Sequence, residues 1–197
     1  MMNQIINKLK SMIVRGTILS VNDTGSRQEV TAKLSLGETK DRIERIEQFG
    51  FSSVPPSGAA GVFLEVAATR SRMVCIGDSH YTHCPRGKQI GESIQYDAFG
   101  QFVHLQASGV IEINASGQLV IKAPTKMLIE TAELEIQAST KVRMETPLLE
   151  ITGDIKDNCD ASGTTMGEMR NTYNTHTHDG DSGGTTGTPD QTMGGGI

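Results

Sequence analysis

The sequence has no tryptophan, and aromatic residues make up only 4% of it. Hydrophobic residues reach 36%, below the roughly 45–50% of ordinary compact domains. Such a composition does not easily fill one round core. It suits a chain that completes its core between copies, or that stacks thin repeats. No apolar run approaches the ~18 residues of a membrane-spanning helix. The opening residues, Met1 to Val14, lack the apolar stretch of a secretory signal. Cysteine is scarce: Cys75, Cys84 and Cys159 are scattered and odd in number. That pattern argues against a disulfide framework and for synthesis in a reducing compartment. A basic excess is missing too. The 18 Lys and Arg against 23 Asp and Glu give a net charge of −5, which excludes an ordinary nucleic-acid binder. There is no G-x-S-x-G, H-E-x-x-H or P-loop, and no carboxylate pair stands out for glycoside hydrolysis. The sequence therefore predicts a protein that is not an enzyme and has no small-molecule substrate.

The few aromatics divide the chain. All five Phe (Phe49, Phe51, Phe63, Phe99 and Phe102) precede position 103, and after it the only aromatic is Tyr173. Large rings bury the most area per residue, so the first half reads as a small ordinary domain. Ile13–Val21, Glu29–Leu36, Gly61–Val66 and Met73–Gly77 are β-branched-rich and bounded by turn formers. Asn22-Asp23-Thr24-Gly25 is a turn signal between the first two. Asp41–Phe49 fits a short helix by the three-residue spacing of Ile43, Ile46 and Phe49, or a strand by the shared parity of Ile43 and Phe49. Five short antiparallel strands in this span predict a small closed barrel such as an OB-fold.

Beyond it, aliphatic pairs two residues apart recur every seven or eight residues: Ile111/Ile113, Leu119/Ile121, Met127/Ile129, Leu134/Ile136, Val142/Met144 and Leu149/Ile151. Each pair is a short strand with one narrow apolar face, and the series is an internal repeat. One such unit has no core of its own. Mid-sized aliphatic side chains without rings suit a slender interior where three chains meet. A triple-stranded β-helix satisfies this and leaves no free strand edge along the shaft. A β-sandwich meander with very short strands is the alternative.

From Tyr173 onward Gly, Thr and Asp dominate. Within this stretch, Thr175-His176-Thr177-His178 sets two imidazoles on one side of an extended chain. Two are too few for a tight site. Three chains around an axis would supply six, an all-nitrogen octahedral shell. Zinc prefers four ligands, so the pattern points to iron, with nickel or zinc as alternatives; solvated histidines are the other reading. Asp179 and Asp181 could hold calcium or simply form turns. His80-Tyr81-Thr82-His83-Cys84 has no partner motif and reads as a loop, and His104 reads as a strand residue.

Two stretches carry a family resemblance. Gln48-Phe49-Gly50-Phe51-Ser52-Ser53-Val54-Pro55-Pro56-Ser57-Gly58-Ala59 and Gly91-Glu92-Ser93-Ile94-Gln95-Tyr96-Asp97-Ala98-Phe99-Gly100-Gln101-Phe102-Val103-His104-Leu105 resemble signatures of the Mu-type baseplate spike family of contractile phage tails. The first departs from its pattern only in Phe49, where the family usually has Tyr. His176-Thr177-His178 resembles the metal-binding tip of such spikes. The resemblance covers most of the chain and suggests a close relative of the family's type member. It implies an all-β homotrimer: an N-terminal segment (1–12), an OB-fold (13–91), a triple-stranded β-helix shaft (92–172) and a pointed tip (173–197). It further implies one iron held by His176 and His178 of all three chains, with calcium and chloride near the apex. Made in the host cytoplasm, the spike would sit in the virion at the centre of the tail baseplate, against hub and tail-tube proteins. On contraction it would be driven through the host outer membrane for genome ejection. A trimeric tail fibre or adhesin that binds a receptor is the alternative function.

Overall fold

A computed structural model of the chain describes residues 12–35, 37–69, 71–180 and 182–194. Apart from Met12, the N-terminal segment lies outside them. The chain divides into two units between Met127 and Leu128.

The first unit holds a closed five-stranded barrel of β1 (Ile13–Asn22), β2 (Glu29–Leu34), β3 (Thr39–Arg45), β4 (Ala60–Glu65) and β5 (Met73–Ser79). Its order is β1-β2-β3-β5-β4. Antiparallel β1–β4 pairing and a short parallel contact of β3 with β5 close it, giving the OB-like barrel that the strand pattern predicts. Alternation sets the core: Val30, Ala32 and Leu34 point inward from β2, Val14 and Ile18 from β1, and Phe63, Met73 and Cys75 from β4 and β5. Phe63 is fully buried, and two glycines make room for it. Gly16 and Gly61 face each other across β1 and β4. A Cβ on Gly16 or Gly61 would lie 3.0 or 2.9 Å from the Phe63 ring, so each strand carries Gly where another group approaches closely. The predicted turn after β1 is present: the Asn22 side chain accepts from the N–H and hydroxyl of Thr24 at 3.2 and 2.8 Å.

The ambiguous segment 41–49 is strand as far as Arg45. Ile43 is buried, whereas Ile46 and Phe49 are exposed, so the helical spacing does not correspond to a packed face. The Ile46 N–H donates to the Cys75 carbonyl at 2.9 Å, which holds this edge to the barrel.

A three-stranded antiparallel sheet follows, of β6 (Ser93–Tyr96), β7 (Phe102–Leu105) and β8 (Ile111–Asn114). His104 lies on β7 opposite Ile94 and Glu112, as a strand residue. The repeat behaves differently. Only its first pair lies in a strand. Among the described residues, no backbone-to-backbone hydrogen bond involves 115–154. The paired aliphatic side chains from Ile111 to Ile151 are all 49–65% exposed.

In the second unit, residues 154–165 fold back into the one α-helix among the described residues, α1 (Met166–Thr175). The Asp154 carboxylate accepts from the Ile155 and Gly167 N–H groups at 2.9 and 3.1 Å, and Lys156 bridges to Thr165. A reciprocal cap starts the helix: the Thr165 hydroxyl accepts from Glu168 N–H at 3.1 Å, and Glu168 accepts from Thr165 N–H at 2.8 Å. The apolar repeat does not foretell this helix, and position 172, the expected shaft-to-tip boundary, falls inside it.

Candidate metal centre

α1 ends at the histidines. His176 caps the helix C-terminus in an extended conformation, and its N–H donates to the Thr172 carbonyl. Its ring Nδ1 lies 2.6 Å from the Tyr173 carbonyl. A carbonyl only accepts, so Nδ1 is the donor of this contact and Nε2 is turned away from it. This is how a metal-binding imidazole is usually oriented. His178 is anchored from the other side. Its N–H donates to the Thr186 hydroxyl at 2.9 Å, and its carbonyl accepts from Thr186 N–H at 2.8 Å. Asp179 pairs with Thr185, and the Gly180 N–H donates to the Gly184 carbonyl at 2.6 Å. The His176 and His178 rings lie 4.9 Å apart, edge to face, and Tyr173 packs 5.5 Å from His176. Asn174 closes this region: its amide exchanges two hydrogen bonds with the Met193 backbone, at 2.9 and 3.3 Å.

The geometry brings the two predicted ligands side by side with one ring's orientation set. Among the described residues, no three His, Cys, Asp or Glu side chains of one chain come together. Among the described residues, one copy thus sets two imidazoles together, a partial shell for a transition metal. This donor set fits a borderline transition metal better than calcium. Asp179 stands in the turn, and Asp181 lies outside the described residues.

His80 and His104 make local contacts within the fold. His80 uses both ring nitrogens: Nε2 donates to the Ser57 carbonyl at 3.3 Å, and Nδ1 accepts from Thr82 N–H at 3.3 Å. His104 Nε2 lies 3.4 Å from the Glu92 carboxylate. Backbone N–H groups of Ala107 and Gln89 hold Glu92 below the usual carboxylate range.

Sequence reasoning missed the Arg45 network. The guanidinium, on a side chain only 8% exposed, meets Asp78 and Glu47 at 2.6 Å each. It also donates to Gln28 Oε1 at 2.7 Å and to the Ser53 carbonyl at 2.8 Å. Burial alone would lower its pKa; Asp78 and Glu47 outweigh that and raise it. The network fixes the 46–55 loop to the barrel. Its only sequence signal is a lone Arg at the end of a strand.

Comparison with known proteins gives the class first. Residues 15–81 match the family model described as Bacteriophage Mu Gp45, N-terminal. The matched stretch is the barrel, and the chain resembles the Mu-type baseplate spikes. Over 196 residues it is 24% identical to the baseplate puncturing device gp45 of Escherichia phage Mu, covering 95% of this chain and 93% of that protein. Over 111 residues it is 31% identical to the Mu-like prophage FluMu protein gp45 of Haemophilus influenzae, covering 54% of this chain and 60% of that protein. These identities mark a distant relative, where the sequence motifs suggest a close one.

Proposed function

We propose that the chain is one subunit of a homotrimeric central spike in a contractile-tail baseplate, and that the spike pierces the host outer membrane mechanically. One observation carries this reading. Residues 115–154 expose a regular series of aliphatic pairs, and among the described residues their backbone makes no hydrogen bond to other backbone of the chain. Backbone polar groups need partners, and apolar faces need cover. Two further copies wound into a triple-stranded β-helix supply both. The similarity to a baseplate puncturing device supports the location in the virion, and baseplate hub and tail-tube proteins are the neighbours this implies.

In this reading the role is structural. Interchain hydrogen bonding stiffens the shaft, small residues allow a narrow apex, and contraction supplies the force. His176 and His178 of three copies would hold one iron, whose chemistry here is coordination only. The His176 Nδ1 contact with Tyr173 orients one ring of each pair. Binding ties three Gly/Thr-rich ends together and contributes to folding. The test is a particle whose spike ends before Tyr173. It assembles and adsorbs but fails to release its genome into cells; normal infection by such particles would refute the proposal.

A further inference from the structure

Two turns of the first unit each hold a phenylalanine out to solvent on a braced scaffold. The first, Gln48–Phe51, is closed by the Phe51 N–H donating to the Gln48 carbonyl at 3.0 Å. Gly50 there has φ 89°, the left-handed value that a type II turn needs at its third residue. The Glu47 carboxylate braces it, accepting from Ser53 N–H at 2.7 Å and the Ser52 hydroxyl at 3.1 Å. In the second turn, Asp97 accepts from the N–H groups of Phe99 and Gln101 at 2.8 and 3.0 Å, and Gly100 has φ 87°. Phe49 is fully exposed and Phe99 is 80% exposed. Solvated turns ordinarily carry polar or small residues. An aromatic ring on a pre-ordered turn has the form of an interface anchor: it offers a large area and has little freedom left to lose.

Beside these turns runs a groove of about 1490 Å³ lined by Phe51, Pro55, Phe99 and Phe102, together with Ile113 and Leu119. The last two belong to the first pairs of the exposed aliphatic series. Polar side chains line the groove as well, and it forms one continuous, partly apolar surface with the start of that series. Whatever covers Ile113 and Leu119 also meets the groove. On the trimeric reading above, on which this inference rests, that cover is a second copy of the chain.

We propose that the Gln48–Phe51 and Asp97–Gln101 turns, with the groove beside them, form the contact by which one copy docks on the next at the start of the shaft. If this contact joins unlike surfaces, it closes a ring of three where its rotation is one third of a turn. It gives the Gln48–Ala59 signature a role: an assembly collar around the barrel end of the shaft.

Hydroxyl-radical footprinting of the intact full-length protein, with its native mass recorded alongside, tests this. Phe49 and Phe99 oxidise several-fold more slowly in the assembled protein than in urea. Phe49→Ser and Phe99→Ser alter exposed side chains and leave the barrel folded, yet each speeds subunit exchange about tenfold or more. A trimer whose Phe49 and Phe99 oxidise as fast as in urea overturns the inference and leaves the spike reading standing. Protection that arises only on adding a hub protein also overturns it. A monomer overturns the spike reading and this inference together.

Discussion

Arg45→Leu is the most informative single change in the barrel. It removes the cation from Asp78 and Glu47, whose side chains are only 13% and 21% exposed. It also leaves Gln28 Oε1 without its donor, while the Ser53 carbonyl keeps only the Gln28 amide, at 3.1 Å. Stripping one partner from a buried pair costs about 3–5 kcal/mol. That is most of the stability of a small domain. Native-state hydrogen exchange reads the cost directly, because the slowest amides of β1–β5 exchange through opening of the whole barrel. Their exchange accelerates by roughly a hundredfold to several-thousandfold. Adding Asp78→Leu recovers part of the loss, since an apolar pair leaves no orphaned charge. The acid limb follows the same network. Burial alone would raise the Glu47 pKa, but the Ser53 N–H and Arg45 outweigh it and hold it below its ordinary 4.5. Its contribution is complete above that ordinary value and is lost as pH falls towards the lower folded-state value. Arg45→Leu weakens that acid dependence. If its exchange stays within about threefold of the parent protein, the network does not support the barrel and the reasoning fails.

Further predictions concern the shaft, the tip and the thiols. Ile129→Asp places three carboxylates together near the proposed axis and abolishes the trimer in sedimentation; a fully stable trimer would sink the β-helix. His176→Ala removes the metal in elemental analysis and loosens only the end of the chain in hydrogen exchange. One metal per trimer retained in that variant would reassign the site. Thr165→Ala breaks the helix cap and costs about 1 kcal/mol locally, read as faster exchange across α1. With a thiol-alkylating reagent Cys84 reacts before Cys75. The Tyr96 hydroxyl holds the Cys84 thiol below its usual range, while burial raises that of Cys75. The reverse order would contradict the two environments.

The barrel was legible because four of its five strands carry their own signal; β3 was ambiguous because Ile43 is its one buried residue. Val30, Ala32 and Leu34 alternate within one segment, and a turn former stands at its end. The helix was harder to read. Met166, Met169 and Tyr173 stay partly exposed, so no buried face marks it, and its clearest sign is the Thr165–Glu168 spacing of the cap. The paired histidines were visible as a motif. The partners that orient them, the Tyr173 carbonyl and the Thr186 hydroxyl, follow from backbone turns that composition does not encode. Arg45 shows the same limit: its acceptors on Gln28, the 46–55 loop and Asp78 come from three separate segments, and only folding brings them together. The repeat was plain in sequence because its period is regular, yet one copy leaves it uncovered.

The central claim is that three copies share one shaft and one tip. A native mass spectrum of the full-length protein, with elemental analysis of the same sample, tests it most directly. The account predicts a trimer carrying one iron. A metal-free monomer would contradict it.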